Sequence, residues 1–502
     1  MTNFRFMRTR LLVILLLISI ISNAQNRPVP NGLPTYDFYR NYTADLGMHY
    51  LYGTFNRSSN MGVKTIQILD EDGYIAWWTA FSRNAFDFKY HPNLNRYLYT
   101  QRLQGDIKHY ELDENFNLID SVTGVNGIDG DIHEFQVFPN GNRCILASRL
   151  YTMDLSGYTF NGVTGDSNAS VKGAVIQEFD VNDNLVFEWE SINHLSPDHF
   201  IDTLFNYSPN PFNYVHSNSI DLDDDGNLLV SLRTSNLVCK IDHQTGNVIW
   251  KLGGNFSDFT FTNDGGFLAQ HDARRLPNGN ISIFDNQFGQ SNARGIEYFL
   301  DTVAMTATLV DATAYSFPFA ANSMGSYRQL NNGYEILGWG NLLRPSPSVT
   351  LFDPQGTIAT DIFFQDSIIT YRAFMQELPT LPTRPIINCQ TDGASMTLSI
   401  DNNYNYYLWS TDESTTSITV NQPGTYQCWV DQGIGMLGSE PIIIDDLSQC
   451  PSVGFLTLAP IQLEVIGYFD LFGRKIKGPS PNNLYFVLFE DGSLERRFTT
   501  GD

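Results

Sequence analysis

Short runs of alternating apolar and polar residues recur along the chain between residues 35 and 380, as in Asn227–Arg233. A period of two residues is typical of β-strands with one buried face. Clusters of Asp, Asn and Gly separate the runs, and no stretch has the spacing of an amphipathic helix. We therefore expect an all-β fold in which short strands are joined by tight turns.

Two turn types repeat in this region. One opens at Asp70, Asp180 and Asp242. The other contains Asn-Gly or Asp-Gly, which supply the positive φ of a hairpin turn. Its four copies are Pro139–Asn142, Asp224–Asn227, Pro277–Asn280 and Asn331–Gly333. The glycines of these copies are 85, 53 and 54 residues apart. A period near fifty residues, with two hairpins in each unit, predicts a six-bladed β-propeller over residues 25–380.

The composition agrees with a large fold and limits the class of partner. The chain has 502 residues, of which 42% are hydrophobic and 13% aromatic, so it can bury a sizeable core. Its 54 acidic and 30 basic residues give a formal net charge of −24. Because an acidic surface repels phosphate backbones, we do not expect nucleic acid as a partner.

The first 24 residues have the pattern of an export signal. Arg5, Arg8 and Arg10 precede the apolar run Leu11–Ile21, and the small residues Ser22–Ala24 offer a cleavage site. An uncleaved membrane anchor is the alternative, but the run is short for a membrane span. No later stretch is apolar enough to cross a membrane. We therefore expect an exported protein without stable membrane insertion after cleavage.

Three histidines occupy nearly the same place in three of the repeats. His133 and His271 each precede the turn glycine of their repeat by eight residues, and His216 precedes its glycine by ten. In the fourth copy, Ser323–Ser326 takes the place of the histidine. Equivalent positions at one end of the inner strands of a propeller converge on the central channel. The repetition therefore predicts three imidazoles around one axial pocket.

Two arginines bear on the chemistry of that pocket. Arg233 and Arg149 each lie on the strand that follows a repeated turn, so either can reach the rim. Guanidinium and imidazole groups together favour a bound oxyanion. Two alternatives remain open: a polar residue that only closes a hydrogen bond inside each blade, and a metal site of three histidines. The segment Asp221–Asp225 superficially resembles a calcium loop, but Leu232 would occupy its last ligand position.

Several motifs in order resemble those of the bacterial arylsulfate sulfotransferase (arylsulfotransferase) family. They are His216–Ser219 with the following Asp-Gly-Asn turn and Arg233, Trp250–Gly254, Gln270–Ala273 with the following Leu-Pro-Asn-Gly, and Gly325–Gly340. The resemblance implies a six-bladed propeller. It also implies transfer of a sulfuryl group from an aryl sulfate to a phenolic acceptor without a nucleotide sulfate donor, through a sulfated histidine.

The resemblance also assigns residues. His271 matches the histidine that becomes sulfated, and His216, Asn218 and Arg233 match the groups that bind the sulfate oxygens. His133 matches the histidine of the first blade that carries one. The family uses a late hydroxyl, for which Ser326 or Ser323 is the candidate. The expected scheme needs no cofactor and no metal, since preplaced donors stabilise a loose transition state.

The C-terminal part changes character. Residues 384–446 are rich in Thr, alternate in polarity and contain a Pro-Gly turn, which predicts a small β-sandwich that resembles immunoglobulin-like modules. Residues 455–502, with Gly473, Arg474 and Tyr485, resemble the C-terminal sorting domain of type IX secretion; a further structural β-module is the alternative. The resemblance implies export to the surface or medium of a Gram-negative bacterium, with the type IX secretion machinery as partner.

The cysteines add one expectation. Three of the five lie after residue 385, so a disulfide is expected in the C-terminal part, and the odd number leaves at least one thiol unpaired. The five are Cys144, Cys239, Cys389, Cys428 and Cys450.

Three functions are compatible with these patterns. The first is an exported aryl sulfotransferase, and the second is a non-catalytic propeller that binds a surface ligand. The third is a quinone-dependent oxidoreductase propeller, which we disfavour because a stacked quinone does not need three repeated histidines. The first hypothesis depends on whether the imidazoles meet at the axis.

Overall fold

The computed structural model describes residues 27–57, 63–208, 210–290, 292–365, 367–401 and 403–451, and four short segments between residues 465 and 498. The predicted export signal, residues 1–24, lies outside the described residues. The described chain forms two compact units, of which Gln25–Pro451 is the larger. Its regular secondary structure is almost entirely β-strand, as predicted. None of its helices is long and apolar enough to span a membrane.

Four strands open the larger unit, and the first complete sheet follows them. The opening strands are β1 (Tyr36–Arg40), β2 (Met48–Asn56), β3 (Lys64–Leu69) and β4 (Ile75–Phe81). The strands of the first sheet are β5 (Ala85–His91), β6 (Arg96–Arg102), β7 (Ile107–Leu112) and β8 (Leu118–Val122).

The second sheet carries the longest hairpin and a large insertion. Its strands are β9 (Asp129–Val137), β10 (Arg143–Met153), β13 (Ala169–Phe179), β14 (Leu185–Glu190) and β15 (Phe212–Asn213). Between β10 and β13, the strands β11 (Thr159–Phe160) and β12 (Val163–Thr164) form a separate two-stranded sheet. The insertion also contains two short 3-10 helices, Ser191–Asn193 and Pro197–His199. These extra residues explain why the first interval between turn glycines, 85 residues, exceeds the later ones.

The remaining sheets of the ring follow in chain order. The third contains β16 (Ser217–Leu222), β17 (Leu228–Leu232), β18 (Leu237–Ile241) and β19 (Val248–Gly253), and the 3-10 helix Arg233–Ser235 follows β17. The fourth contains β20 (Thr260–Phe261), β21 (His271–Arg275), β22 (Ile281–Asp285), β23 (Arg294–Asp301) and β24 (Thr306–Ala314). The fifth begins with β25 (Ser326–Gln329), β26 (Glu335–Gly338), β27 (Val349–Phe352) and β28 (Ile358–Phe364). The next strand is β29 (Ile368–Glu377).

The N-terminal strands complete the last two sheets. Strand β1 pairs with β28 at the outer edge of the fifth sheet, and β29 pairs with β2 to give the sixth sheet its innermost strand. The innermost strands β5, β9, β16, β21, β25 and β29 contact one another in sequence, and β29 contacts β5. The six sheets of the described chain therefore form a closed, propeller-like ring in which strands distant in sequence are paired.

The predicted hairpin turns are confirmed. Gly141, Gly226, Gly279 and Gly333 all have φ between 81° and 86°. The apolar faces that these hairpins create pack sheet against sheet, as where Leu229 and Trp250 of the third sheet meet Ile283 of the fourth. Burial of one such apolar side chain stabilises the folded state by about 1.5–3 kcal/mol.

The segment after the ring forms a small β module that continues the sixth sheet. Its strands are β30 (Ile387–Thr391), β31 (Met396–Ile400), β32 (Tyr407–Trp409), β33 (Ser417–Val420), β34 (Gly424–Tyr426), β35 (Cys428–Gln432), β36 (Gly435–Gly438) and β37 (Ile442–Ile444). Strand β36 pairs with β4, so that Leu437 lies opposite Trp77. The module thereby covers an edge that β4 would otherwise expose.

A disulfide joins Cys389 near the start of the module to Cys450 near its end. This agrees with the expected bridge in the C-terminal part. Cys144, Cys239 and Cys428 are buried free thiols. Their burial makes them part of the apolar core.

The described segments of the smaller unit form one antiparallel sheet. In the order β39-β38-β40-β41, it contains β38 (Val465–Phe469), β39 (Lys475–Ile476), β40 (Leu484–Phe489) and β41 (Leu494–Phe498). Gly473 and Arg474, on which the resemblance to a sorting domain partly depends, lie outside the described residues.

Candidate active site

The inner strands are irregular where the three predicted histidines lie. The pairing register shifts beside Ser217 in β16 and beside His271 in β21. Non-glycine residues with positive φ in this region include His216 at 42° and Asp272 at 58°. Bulges re-aim side chains, and backbone strain of this kind concentrates at functional sites. The irregular backbone therefore lies at the starts of β16 and β21, beside the predicted residues His216 and His271.

His133 and His216 meet edge to face. Their ring centroids are 4.8 Å apart, although they come from different sheets. His133 shares a short hydrogen bond with Asp131, two residues earlier on β9. Burial raises the pKa of Asp131, but the charge and hydrogen bond of His133 lower it more, so the net pKa lies well below its ordinary value. Asp131 therefore remains a carboxylate that orients His133.

Asn213 holds His216 from the side. Its Nδ2 lies 3.0 Å from Nδ1 of His216, and its Oδ1 accepts the backbone N–H of His216 at 3.0 Å. Since a backbone N–H can only donate, the oxygen of Asn213 is fixed on that side and Nδ2 faces the ring. His216 is thus held through both its backbone and its side chain.

His271 lies almost fully buried at the start of β21. Its Nδ1 donates to Oδ1 of Asn286 at 2.7 Å, and the backbone N–H of Met324 approaches its Nε2 at 3.2 Å. Met324 belongs to the segment before β25. This segment packs closely against Gly340, because a Cβ at that position would lie only 2.7 Å from the backbone nitrogen of Gly325. The fourth and fifth sheets therefore both contribute to the position of His271.

The imidazoles of His216 and His271 are both neutral near neutral pH. Burial lowers the pKa of His216 well below its ordinary value, and the nearby charges of His133 and Arg233 lower it further. The pKa of His271 is also lowered well below its ordinary value, by burial and by Arg233. His133 and His216 add to the lowering at His271, so all three predicted histidines interact. A neutral imidazole keeps a lone pair for nucleophilic attack.

Arg233 is a half-buried cation without an ion-pair partner among the described carboxylates. Its guanidinium lies 4.8 Å from the ring centroid of Phe205 and 5.3 Å from that of Phe288. One Nη donates to the carbonyl of Asn322 at 2.7 Å, while the buried Nε has no hydrogen-bond partner in the described structure. Burial lowers its pKa to about 10. The group keeps its charge and retains hydrogen-bonding capacity for an anion.

The other predicted residues take different positions. Asn218 is fully buried and donates through Nδ2 to the carbonyl of Gln270, next to His271, at 2.7 Å. The hydroxyl of Ser326 both donates to and accepts from the backbone of Ala373, at 3.0 and 3.1 Å. That hydroxyl therefore links β25 to β29. Ser323 accepts from the side chain of Asn341 at 3.2 Å, which leaves its own proton free to donate. Arg149 pairs with Glu190.

An apolar patch flanks the histidines. Phe55, Phe86, Ile369 and Tyr371 form a buried cluster to which Ile132, Met324 and Leu343 add partly buried contacts. The ring of Tyr371 lies 5.5 Å from that of His133, edge to face. The candidate site thus combines a cationic side at Arg233 with an aromatic side at Tyr371.

A cluster of charged side chains joins the inner strands. This central ion cluster consists of Asp87, Lys89, Glu134, Asp272, Arg274, Arg328 and Arg372. Arg372 contacts Asp87 at 2.7 Å and Glu134 at 2.9 Å, and its other Nη donates to the carbonyl of Asn218 at 2.6 Å. Through these contacts the cluster connects all six innermost strands. It fixes the strands whose starts carry the histidines.

Sequence reasoning missed the supporting residues. Asn213, Asn286 and Tyr371 lie outside the repeated motif, so the turn spacing could not reveal them. The ion cluster left a weak signal, since charged residues such as Asp87 and Lys89 alternate with aromatic residues in an otherwise apolar strand. Its partners are up to 285 residues apart in sequence, so the pairing needs the closed ring.

The described residues contain no group of three or more His, Cys, Asp or Glu side chains that could hold a metal ion. The hydrogen bonds of the histidines go to Asn213, Asn286 and Asp131 instead. Within the described chain, the geometry gives no support to the alternative of a three-histidine metal site.

The sequence model of the family described as Arylsulfotransferase (ASST) matches residues 104–365, slightly more than half of the chain. The chain belongs to the arylsulfotransferase family. The match spans His133, His216, Arg233 and His271 and ends within the fifth sheet. Family membership supports aryl sulfotransferase activity at the level of the family. No curated protein matches the chain.

Several solved structures are similar to the ring, all at low identity. One is a protein of unknown function from Bacteroides caccae, with a TM-score of 0.42, 11% identity and coverage of 66% of this chain and 98% of that one. TolB from Acinetobacter baumannii has a TM-score of 0.41 and 12% identity, with 66% and 67% covered. A periplasmic gluconolactonase from Pseudomonas aeruginosa has a TM-score of 0.38 and 10% identity, with 66% and 99% covered.

Proposed function

We propose that this protein transfers a sulfuryl group from an aryl sulfate to a phenolic acceptor, and that His271 carries the group between the two steps. The observation that supports this most strongly is the neutral, buried imidazole of His271 beside the half-buried guanidinium of Arg233. A neutral nucleophile next to an unpaired cation suits an anionic donor. The six sheets would then be the blades of one propeller with this site at its axis.

In the first step, Nε2 of His271 gives up the hydrogen bond from the backbone N–H of Met324. Its lone pair then attacks sulfur, and the bond from sulfur to the aryl oxygen breaks. The phenolate leaves with the bonding electrons and takes a proton from His133, which recovers one from the acceptor in the second step. Arg233 and His216 would stabilise the charge on the peripheral oxygens, because donors placed in advance need no reorganisation. Ser323 is a better candidate than Ser326 for the late hydroxyl, because both hydrogen-bonding functions of Ser326 are used.

In the second step, the acceptor phenol loses its proton and attacks the sulfur of the sulfated histidine, which restores the imidazole. His133 is suited to take that proton, since Asp131 orients its ring. The aromatic side at Tyr371 would hold the aryl groups of both donor and acceptor. The scheme balances with the two substrates and these side chains alone.

The test uses the purified protein with a chromogenic aryl sulfate and a panel of phenols. We expect release of the donor phenol that depends on the acceptor, and loss of that release in His271→Ala. His199→Ala is a matched control, since His199 lies in the insertion and bonds only to Ser196 among the described residues. Binding of the aryl sulfate without turnover would contradict the proposal and favour a ligand-binding propeller.

We further propose that residues 1–24 direct export and that residues 455–502 act as a type IX sorting domain, which would place the protein outside the cell or on its surface. The pattern of residues 1–24 and the resemblance of the C-terminal sequence support this. Residues 384–446 would be an immunoglobulin-like module. Fractionation of the native host tests the location: the protein should leave the cell, and removal of residues 455–502 should retain it.

A further inference from the structure

Two asparagines contact His216 and His271 through opposite ends of their amides. Asn213 presents Nδ2 to Nδ1 of His216 at 3.0 Å. Asn286 presents Oδ1 to Nδ1 of His271 at 2.7 Å. Both contacts therefore involve the same ring nitrogen but opposite hydrogen-bonding partners.

The orientation of each amide is fixed by its other contacts. Oδ1 of Asn213 accepts the backbone N–H of His216, so its Nδ2 must face the ring. Nδ2 of Asn286 donates to the carbonyls of Ala321 and Met324, both at 2.8 Å, so its Oδ1 must face the ring of His271. Reversing either amide would place two donors or two acceptors against each other. Asn286 is fully buried, so water cannot relieve such a mismatch.

We infer that Asn213 and Asn286 set opposite tautomers on the two histidines: His216 carries its proton on Nε2, and His271 carries its proton on Nδ1. An amide N–H can donate only to an unprotonated Nδ1, which leaves Nε2 of His216 protonated. An amide oxygen can accept only from a protonated Nδ1, which leaves Nε2 of His271 with a lone pair. The backbone N–H of Met324 at 3.2 Å from Nε2 of His271 agrees with this assignment.

The two tautomers give His216 and His271 different roles in the reaction, and this part of the inference depends on the proposed function. His216 becomes a fixed N–H donor for a sulfate oxygen, and His271 becomes a fixed nucleophile. Asn213 and Asn286 are positioning residues, because they act through the rings. The wrong tautomer at His271 would leave no lone pair on Nε2.

The test is ¹⁵N NMR of the full protein labelled at histidine, with the His216 and His271 signals assigned from His216→Gln and His271→Gln. We expect the ring pattern of a protonated Nε2 for His216 and of a protonated Nδ1 for His271. Either residue with the reverse pattern would overturn the inference, whatever the activity. Correct patterns without sulfuryl transfer would overturn the proposed function and leave the inference intact.

The same substitution at both asparagines sharpens the test. A carboxylate cannot donate, so Asn213→Asp should place a proton on Nδ1 of His216, whereas Asn286→Asp should leave Nδ1 of His271 protonated. Asn286→Ala should lower the transfer rate by about 100-fold or more. Asn278→Ala is the control, since Asn278 in the turn between β21 and β22 bonds to Glu297 and should change neither histidine. Unchanged His216 signals in Asn213→Asp would contradict the inference.

Discussion

At the scale of single residues, Arg233 distinguishes this site from the rest of the ring. The other arginines close to the axis, Arg274, Arg328 and Arg372, are paired with carboxylates, whereas Arg233 stacks on two aromatic rings and pairs with no described carboxylate. A half-buried cation without a counter-charge still loses part of its hydration, so the position of Arg233 suits an anionic ligand.

Arg233→Lys should weaken the use of aryl sulfate while the protein stays folded. Lysine keeps the charge but loses the planar fork of donors. We expect kcat/KM for the donor to fall by about 10²–10³, the usual cost of one donor to a developing anion. Steady-state kinetics with varied donor measures this. Arg149→Lys, at an arginine paired with Glu190, should leave kcat/KM unchanged; equal losses in the two variants would contradict the role of Arg233.

Arg372 differs from Arg233, because it is fully buried and pairs with the carboxylates of Asp87 and Glu134. Arg372→Met would leave Asp87 and Glu134 short of one counter-charge, and we expect a loss of about 3–5 kcal/mol in the free energy of unfolding. Arg344→Met removes a pair with Asp37 at an arginine whose side chain is 35% exposed, and should cost at most about 1 kcal/mol. Urea unfolding compares the two variants. Similar losses would show that the ion cluster does not hold the ring together.

The sequence alone predicted the histidines because the turn glycines provide a fixed reference in each repeat. His133, His216 and Arg233 were located in this way and do lie together. Asn213 and Asn286, which orient the histidines, could not be found from the turn spacing. Both occupy irregular segments where no repeat exists. Ser326 shows the same limit: the spacing could not tell a hydroxyl that faces the site from one that bonds to the next strand.

At the scale of elements, the strands form regular antiparallel hairpins that register shifts interrupt, both in outer strand pairs and beside the histidines. The regular parts follow from alternation and turn chemistry, which is why the strands were predictable. The bulges at His271 and Ser217 were not, since each depends on what the neighbouring inner strands place opposite it. The same holds for β1 and β29, which find partners only when the ring closes.

Asp361 on β28 makes the stability of the fifth sheet depend on pH. Burial raises its pKa to about 7, opposed by hydrogen bonds from Thr350 and Tyr315. Its pKa in the unfolded chain is about 3.9. Between these two pKa values, the folded protein keeps a proton on Asp361 that the unfolded chain releases. The favourable contribution of Asp361 to the free energy of unfolding is therefore fully present below about pH 4 and is lost as the pH rises towards 7.

Asp361→Asn removes that titration. We therefore expect the variant to gain stability relative to the wild type as the pH rises from about 4 to about 7, by up to a few kcal/mol, because the amide carries no charge to bury. Thermal or urea unfolding at several pH values measures the difference between the two proteins. A constant difference over this range would contradict a raised pKa at Asp361.

At the scale of the whole molecule, the C-terminal module and the ring share one core. Strand β36 extends the sixth sheet, and the indole N–H of Trp429 donates to the carbonyl of Ile75 on β4 at 3.0 Å. The sequence located the module from its change in composition, but the continuous sheet was not foreseeable, since nothing in either strand marks the other as its partner.

Trp429→Ala should therefore destabilise the ring as well as the module. Loss of a fully buried indole costs about 3–5 kcal/mol. We expect residues 25–451 to unfold in a single transition that moves to lower denaturant, with near-ultraviolet circular dichroism and aryl sulfate turnover lost together. Separate transitions for turnover and for the module would contradict a shared core.

The central claim is that His271 carries the sulfuryl group, and a single-turnover experiment tests it most directly. The protein is mixed with excess aryl sulfate without acceptor, quenched at alkaline pH, digested and analysed by mass spectrometry. We expect one released phenol for each protein molecule and a sulfuryl group on Nε2 of His271 that disappears when a phenol is added. Phenol release only in the presence of acceptor, with His271 unmodified, would contradict it.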